Sequence, residues 1–465
     1  VLYQSTRGQA PTLPFTDALL AGLARDGGLY LPQSYPRLSA AQIADFAGRS
    51  YADVAEAVLA PFCGGEIDAD SLSEMIGEAY STFRHPAITP LAQIDDNLFV
   101  LELFHGPTLA FKDVAMQLLG RMMDHVLKKR GQRATIVGAT SGDTGAAAIE
   151  AFRGLDQVDV FILYPHGRVS DVQRRQMTTI ADSNIHTIAL EGHFDDAQAI
   201  VKGLFNHHAF RDRYQLSGVN SINWARVMAQ SVYYFTSAVV LGAPHRKISF
   251  TVPTGNFGDI LAGWIAKRMG LPIDRLVIAT NENDILARAL ATGTYDVKGV
   301  QATQSPSMDI QVSSNFERLL FEAYGRDDAA IRALMNSLQQ SGRFDIAAPA
   351  LEAIRAEFDA LRTGEIGTTK EMTRTYQEAG YVLDPHTAVG VHAARKIAKT
   401  HPSTPMVVLG TAHPAKFVDA VTRSTGIHPP LPAHLADLME RQEHFTVLPN
   451  EQGAIEAFIA ERTRS

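Results

Sequence analysis

Ile248-Ser249-Phe250-Thr251-Val252-Pro253-Thr254-Gly255-Asn256-Phe257-Gly258-Asp259 joins a short apolar run to a Gly-punctuated loop, and that loop opens the helically spaced run 260–269. Strand, turn and helix in that order make the repeating unit of a parallel α/β sheet. The loop also has a chemical reading. Backbone N–H groups at a helix N-terminus converge on an anion, and glycines let the backbone approach it closely, so the segment suits a phosphate. Taken alone, it reads equally well as a tight turn in which Gly supplies unusual dihedrals. It is not a dinucleotide fingerprint, because the G-x-G-x-x-G spacing is absent.

The same grammar recurs outward from this loop, with short apolar strands at 98–104, 134–138, 158–164, 185–190, 276–280 and 406–410 alternating with helical stretches. Strands of this kind belong to parallel sheets covered on both faces. Two α/β domains are therefore expected, at 86–240 and 241–430, the second carrying a largely helical insertion over 315–380. Residues 1–85 read as a mostly helical N-terminal cap. The Pro-rich stretch His428-Pro429-Pro430-Leu431-Pro432 leads into a C-terminal tail at 431–465.

Composition excludes several classes of partner. With 465 residues and 46% hydrophobic content the chain buries a large core, and a formal net charge of -8 with interspersed signs offers no basic stripe for nucleic acid and no polybasic membrane anchor. There is no apolar run of spanning length and no signal-peptide layout at the start. The one cysteine, Cys63, excludes an intramolecular disulfide and a Cys-rich metal site. A cytoplasmic protein acting on small molecules is the expectation.

Two further segments carry chemistry. Gly138-Ala139-Thr140-Ser141-Gly142-Asp143-Thr144-Gly145 links a strand to a helix, and its hydroxyls and free N–H groups suit a carboxylate or a phosphate. The lysine of a P-loop is missing, and the plainer reading makes Ser141 or Asp143 a helix N-cap. In His105-Gly106-Pro107-Thr108-Leu109-Ala110-Phe111-Lys112-Asp113 a lysine sits at a helix start, where the dipole and an apolar wall would favour the free amine that Schiff-base chemistry needs. A lysine there is by itself more often a solvated surface charge. Lys112 together with a phosphate-type loop at 254–259 points to pyridoxal 5'-phosphate.

Together with Asn220-Ser221-Ile222-Asn223-Trp224-Ala225-Arg226 and Gly410-Thr411-Ala412-His413-Pro414-Ala415-Lys416-Phe417, these segments resemble the threonine synthase family. That family lies among the pyridoxal-phosphate enzymes that include tryptophan synthase β and the serine and threonine dehydratases. The likeness runs from residue 1 to about 420. Tyr3-Gln4-Ser5-Thr6-Arg7-Gly8 and Asp26-Gly27-Gly28-Leu29-Tyr30-Leu31-Pro32 look like the N-terminal region of its longer, bacterial and fungal subgroup.

The resemblance implies a tryptophan synthase β-like fold with the cofactor between two α/β domains. It makes Lys112 the Schiff-base lysine and Gly255, Asn256, Phe257, Gly258 and Asp259 the cofactor-phosphate loop. Thr411 would hydrogen-bond the pyridine nitrogen, a neutral partner that cannot hold a full pyridinium and so favours elimination and replacement over transamination. Ser141, Gly142, Asp143 and Thr144 would hold the substrate α-carboxylate, although Asp143 stands where relatives often have Asn. Ser221, Asn223 and Arg226 would hold the substrate's phosphate, Arg226 through a charge-assisted fork. The alternative for Arg226 is a surface ion pair.

The reaction implied is conversion of O-phospho-L-homoserine and water to L-threonine and phosphate, the last step of threonine biosynthesis, in a monomer or a homodimer. Rival readings are a dehydratase-like lyase acting on unphosphorylated amino acids and a catalytically silent phospho-amino-acid-binding homologue. Lys112 is a residue that binding alone would not need. A metal hydrolase built on His105, His386 and His413 is disfavoured by their scattered spacing, and no metal is expected.

Overall fold

The computed structural model describes residues 1–140, 142–218 and 221–464. Among these residues one six-stranded sheet has the order Phe358–Arg362, Ile273–Thr280, Ile248–Pro253, Met406–Gly410, Leu98–Glu102, Leu91–Asp95. It is parallel throughout except for the antiparallel edge strand Leu91–Asp95. A second, five-stranded sheet is parallel throughout, in the order Thr446–Pro449, Ile185–Glu191, Val158–Pro165, Ala134–Ala139, Leu216–Ser217. Every residue of Ile248–Pro253, Met406–Gly410 and Val158–Pro165 is buried. That is the signature of strands covered by helices on both faces.

The Trp224–Val240 helix organises the core, packing against Lys112–Arg130, Tyr51–Cys63 and Gly258–Arg268. Gly263 lets the last pair close up, since a Cβ there would lie 2.6 Å from the Tyr234 ring. The Lys112–Arg130 helix ends as electrostatics favours: Lys128, Lys129 and Arg130 occupy its last turn, and Gly131 follows at φ 60.

The N-terminal region is less purely helical than its periodicity predicts. Leu2–Ser5, Leu13–Pro14 and Tyr30–Pro32 pair into a small antiparallel sheet. Its Tyr3 packs 5.9 Å from both Phe15 and Trp224 and donates to the Phe62 carbonyl at 2.8 Å. These residues belong to one core cluster continuous with both α/β sheets, so the cap has no separate interior.

The sheets cut across the division expected from the sequence. Leu98–Glu102 falls within 86–240 but pairs with Met406–Gly410 in the six-stranded sheet, and Phe358–Arg362, inside the expected helical insertion, forms that sheet's far edge. Residues 431–465 are not a tail. Thr446–Pro449 extends the five-stranded sheet, Gln452–Arg462 buries Ile455 and Ile459 with the Phe194–Asn206 helix, and Arg464 ties the end to Asp159 and to the Val158 carbonyl at 2.8 Å. Local patterning reports which segments are strands, whereas pairing depends on residues hundreds of positions away. Among the described residues no helix is long and apolar enough to cross a membrane.

Candidate active site

Lys112 is placed by a buttressed turn. Asp113 folds back to accept from the Thr108 N–H at 2.8 Å and the Thr108 hydroxyl at 2.6 Å. Gly106 is required beneath it, because a Cβ there would lie 2.5 Å from the Asp113 side chain. The turn then docks on the end of Met406–Gly410: Phe111 N–H donates to the Thr411 carbonyl at 2.9 Å and His413 N–H to the Leu109 carbonyl at 3.0 Å. Lys112 and Thr411 are thus brought together by backbone pairing. Thr411 is 7% exposed and carries a neutral hydroxyl.

The Lys112 amine is buried, 3.6 Å from Asp143 Oδ2 and 4.7 Å from the centre of the Phe111 ring. Burial lowers its proton affinity, Asp143 partly restores it, and the positive charges of Arg226 and Lys416 lower it again. The balance is toward the free base that proton transfer and imine chemistry require.

Asp143 opens the Asp143–Phe152 helix close behind Thr140, whose hydroxyl accepts from Gly142 N–H at 3.0 Å and Gly145 N–H at 2.9 Å. Gly142 sits at φ 144 with Gln173 pressed against it, a position closed to other side chains. The helix start carries no side-chain cap. Instead the Asp143 carboxylate takes Lys416 Nζ at 2.7 Å, Gln173 Nε2 at 2.8 Å and the Ser307 hydroxyl at 3.4 Å. Burial alone would push this carboxyl up, but Lys416 and Lys112 together hold it well below the usual carboxylate range. Ser141, expected beside it, lies outside the described residues.

The 255–259 loop leads into the Gly258–Arg268 helix, whose N-terminus also carries no side-chain cap. Phe257 adopts φ 64 to make the corner. The loop's outer carbonyls are taken by protein donors, Gly255 O by the Ser313 hydroxyl at 2.6 Å and Asn256 O by Asn315 Nδ2 at 3.1 Å. Asn315 Nδ2 also donates to the Ser221 carbonyl at 3.0 Å, linking the two phosphate-type segments.

Asp259 uses its side chain elsewhere. Its carboxylate accepts from Tyr233 and its carbonyl from the Tyr234 hydroxyl at 2.9 Å, so what it offers an anion is a backbone N–H. Burial, offset in part by both tyrosines, Lys112 and Arg226, pushes the carboxyl up to about 7. A folded-state value above the unfolded one means that the stability from the protonated form is full below about pH 4 and lost as pH rises through about 7. Urea unfolding of the cofactor-free protein at pH 5 and pH 8 is expected to show a larger loss for the parent than for Asp259→Asn. Equal losses would refute the assignment.

Arg226 is buried in the first turn of Trp224–Val240, close enough to Lys112 and Asp259 to shift both, and burial lowers it to about 10, still charged at neutral pH. Asn223 caps that helix, accepting from Ala225 N–H at 3.0 Å and donating to the Leu19 carbonyl at 2.9 Å. Both ends of its amide are engaged by protein, so it holds the turn that carries Arg226. Arg318, 1% exposed, reinforces the turn by donating to the carbonyls of Ile222 at 2.6 Å and Tyr30 at 2.7 Å.

The three histidines are accounted for locally. His386 accepts from Ser307 N–H at 3.2 Å through Nε2, which leaves its ring proton on Nδ1 for Asp384 Oδ2 at 2.8 Å. Burial lowers His413 to about 4, and its Nδ1 accepts from Ala415 N–H at 3.1 Å. His105 Nε2 lies 2.7 Å from Glu102. Sequence reasoning missed Gln173, Ser307, Asn315, Arg318 and Lys416. Of these only Lys416 lay inside a segment singled out for its chemistry, whereas Asn315 and Arg318 fell in the 315–380 insertion.

A buried amine, two helix N-termini without side-chain caps at the ends of parallel strands, and a threonine whose backbone pairs with the lysine turn fit pyridoxal phosphate. Residues 2–80 match the family model described as "Threonine synthase N terminus", 82–411 "Pyridoxal-phosphate dependent enzyme", and 387–459 "Threonine synthase, C-terminal". Threonine synthase of Pseudomonas aeruginosa is 54% identical over 460 residues, covering 99% of this chain and 98% of that protein. The crystal structure of PLP-bound threonine synthase from Brucella melitensis matches with a TM-score of 0.98 at 62% identity, covering 100% of both chains. Yeast threonine synthase matches with a TM-score of 0.95 at 40% identity, covering 99% of this chain and 98% of that chain. The chain belongs to the threonine synthase family of pyridoxal-phosphate-dependent enzymes.

Proposed function

We propose that this protein converts O-phospho-L-homoserine and water to L-threonine and phosphate, with Lys112 as the cofactor lysine and the proton carrier. The observation that carries the reading is the buried Lys112 amine beside Asp143, with Arg226 within electrostatic reach. Bound pyridoxal phosphate supplies an electron sink for carbanions at the substrate's Cα and Cβ. N–H groups at the start of Gly258–Arg268 would hold the cofactor phosphate, and the Thr411 hydroxyl would be the partner of its ring nitrogen.

The chain's own groups do the rest. The start of the Asp143–Phe152 helix, with Gly142 ahead of it, orients the substrate carboxylate, and Arg226, steadied by the 221–223 turn, holds the substrate phosphate until it departs from Cγ. As a free base, the Lys112 amine removes the Cα proton and then shifts a Cβ proton. Water adds at Cβ once Cγ has been protonated. Burial of the amine keeps solvent from supplying stray protons meanwhile.

Purified protein incubated with pyridoxal phosphate and O-phosphohomoserine is expected to release threonine and phosphate in equal amounts. Borohydride reduction followed by peptide mapping is expected to find the adduct on Lys112. An adduct on another lysine, or phosphate release without threonine, would overturn the proposal.

A further inference from the structure

Lys416 is fully buried in the turn after Met406–Gly410, and no step above uses it. A buried ammonium is costly unless paired and hydrogen-bonded. This one is: its Nζ lies 2.7 Å from Asp143 Oδ1 and donates to the Thr108 carbonyl at 2.8 Å. Both partners belong to the machinery around Lys112, since Thr108 buttresses its turn through Asp113 and Asp143 is its nearest anion. The distances rank the two lysines, with Asp143 nearly an ångström closer to Lys416 at 2.7 Å than to Lys112 at 3.6 Å.

We propose that Lys416 is a positioning residue for Lys112: it locks Asp143 between two helices and the lysine turn, and it presents Lys112 with an anion whose charge is already paired. An unpaired carboxylate at that distance would clamp the amine as an ammonium. The charged groups that act on Lys112 are Asp143 from the Asp143–Phe152 helix, Lys416 from the turn after Met406–Gly410, Arg226 from Trp224–Val240 and Asp259 from Gly258–Arg268. Asp143 and Lys416 are in direct contact, so Lys416 offsets part of the field that Asp143 exerts on Lys112, whose proton affinity is lowered first of all by burial.

The inference rests on Lys112 being the cofactor lysine, which borohydride mapping tests separately. Its own test is a pH titration of the visible absorption band of the lysine-bound cofactor in the holoenzyme, which reads protonation without turnover. Lys416→Met is expected to raise the midpoint by roughly one unit or more, because Asp143 is then left to Lys112 alone. Asp143→Asn is expected to lower it by a similar amount, because Lys416 is left unpaired. The double variant Asp143→Asn/Lys416→Met carries neither charge and is expected to titrate close to the parent. Shifts of opposite sign that cancel are what a purely structural role would not produce. A Lys416→Met midpoint equal to the parent's, or a double variant that fails to fold or titrates like either single variant, would overturn the proposal.

Discussion

Lys112→Met is expected to reduce threonine formation by at least ~10³-fold while leaving the fold intact. The loss combines the covalent anchor and the proton carrier, and positioned proton transfer alone contributes on the order of 10²–10⁴-fold. The fold should survive because Met keeps the stem's volume and because the charge left behind is not orphaned. Asp143 retains Lys416 at 2.7 Å and Gln173 at 2.8 Å. The measurement pairs steady-state turnover with circular dichroism and borohydride mapping. A folded variant retaining a tenth of parental turnover would remove Lys112 from the mechanism.

The second large effect is expected at Arg226. Replacing a buried guanidinium that meets a phosphate costs on the order of 2–5 kcal/mol, which corresponds to a fall of roughly 30- to several thousand-fold in kcat/KM for Arg226→Met. Arg226→Lys keeps the charge but loses the planar fork, so an intermediate loss, mainly in KM, is expected. Retained cofactor absorbance in both variants would separate substrate recognition from cofactor binding. The dehydratase reading predicts something different: turnover of an unphosphorylated amino acid would be high in the parent and would not depend on Arg226.

Much of the fold was legible because its signals are local. The apolar runs 248–253 and 406–410 announce buried parallel strands, and the helix after 258 announces itself by apolar spacing. The order of those strands was not legible. Leu98–Glu102 lies more than three hundred residues from its partner Met406–Gly410, and nothing in its composition distinguishes one sheet from the other. The C-terminal residues were misread for a related reason. Thr446–Pro449 is a short edge strand, half exposed, whose pattern is too weak to be seen without Ile185–Glu191 beside it.

The candidate site divides in the same way. Lys112, Gly255 and Gly142 could be named from the chain because a lysine at a helix start and glycines at strand-to-helix corners have meanings set by local backbone geometry. Asn223 shows the limit, since its residue type suits a phosphate ligand as well as a helix cap, and its hydrogen bonds to Ala225 and Leu19 make it a cap.

The sequence by itself determined the class of architecture, the helix N-termini suited to anions and the amine that could bear a cofactor. Each of these follows from residues within a turn or two of one another. Only the tertiary structure decided which charges Lys112 meets. Asp143, Arg226, Asp259 and Lys416 come from separate segments of the chain, and the force between charges depends on ångströms through a dry interior rather than on positions along a polypeptide.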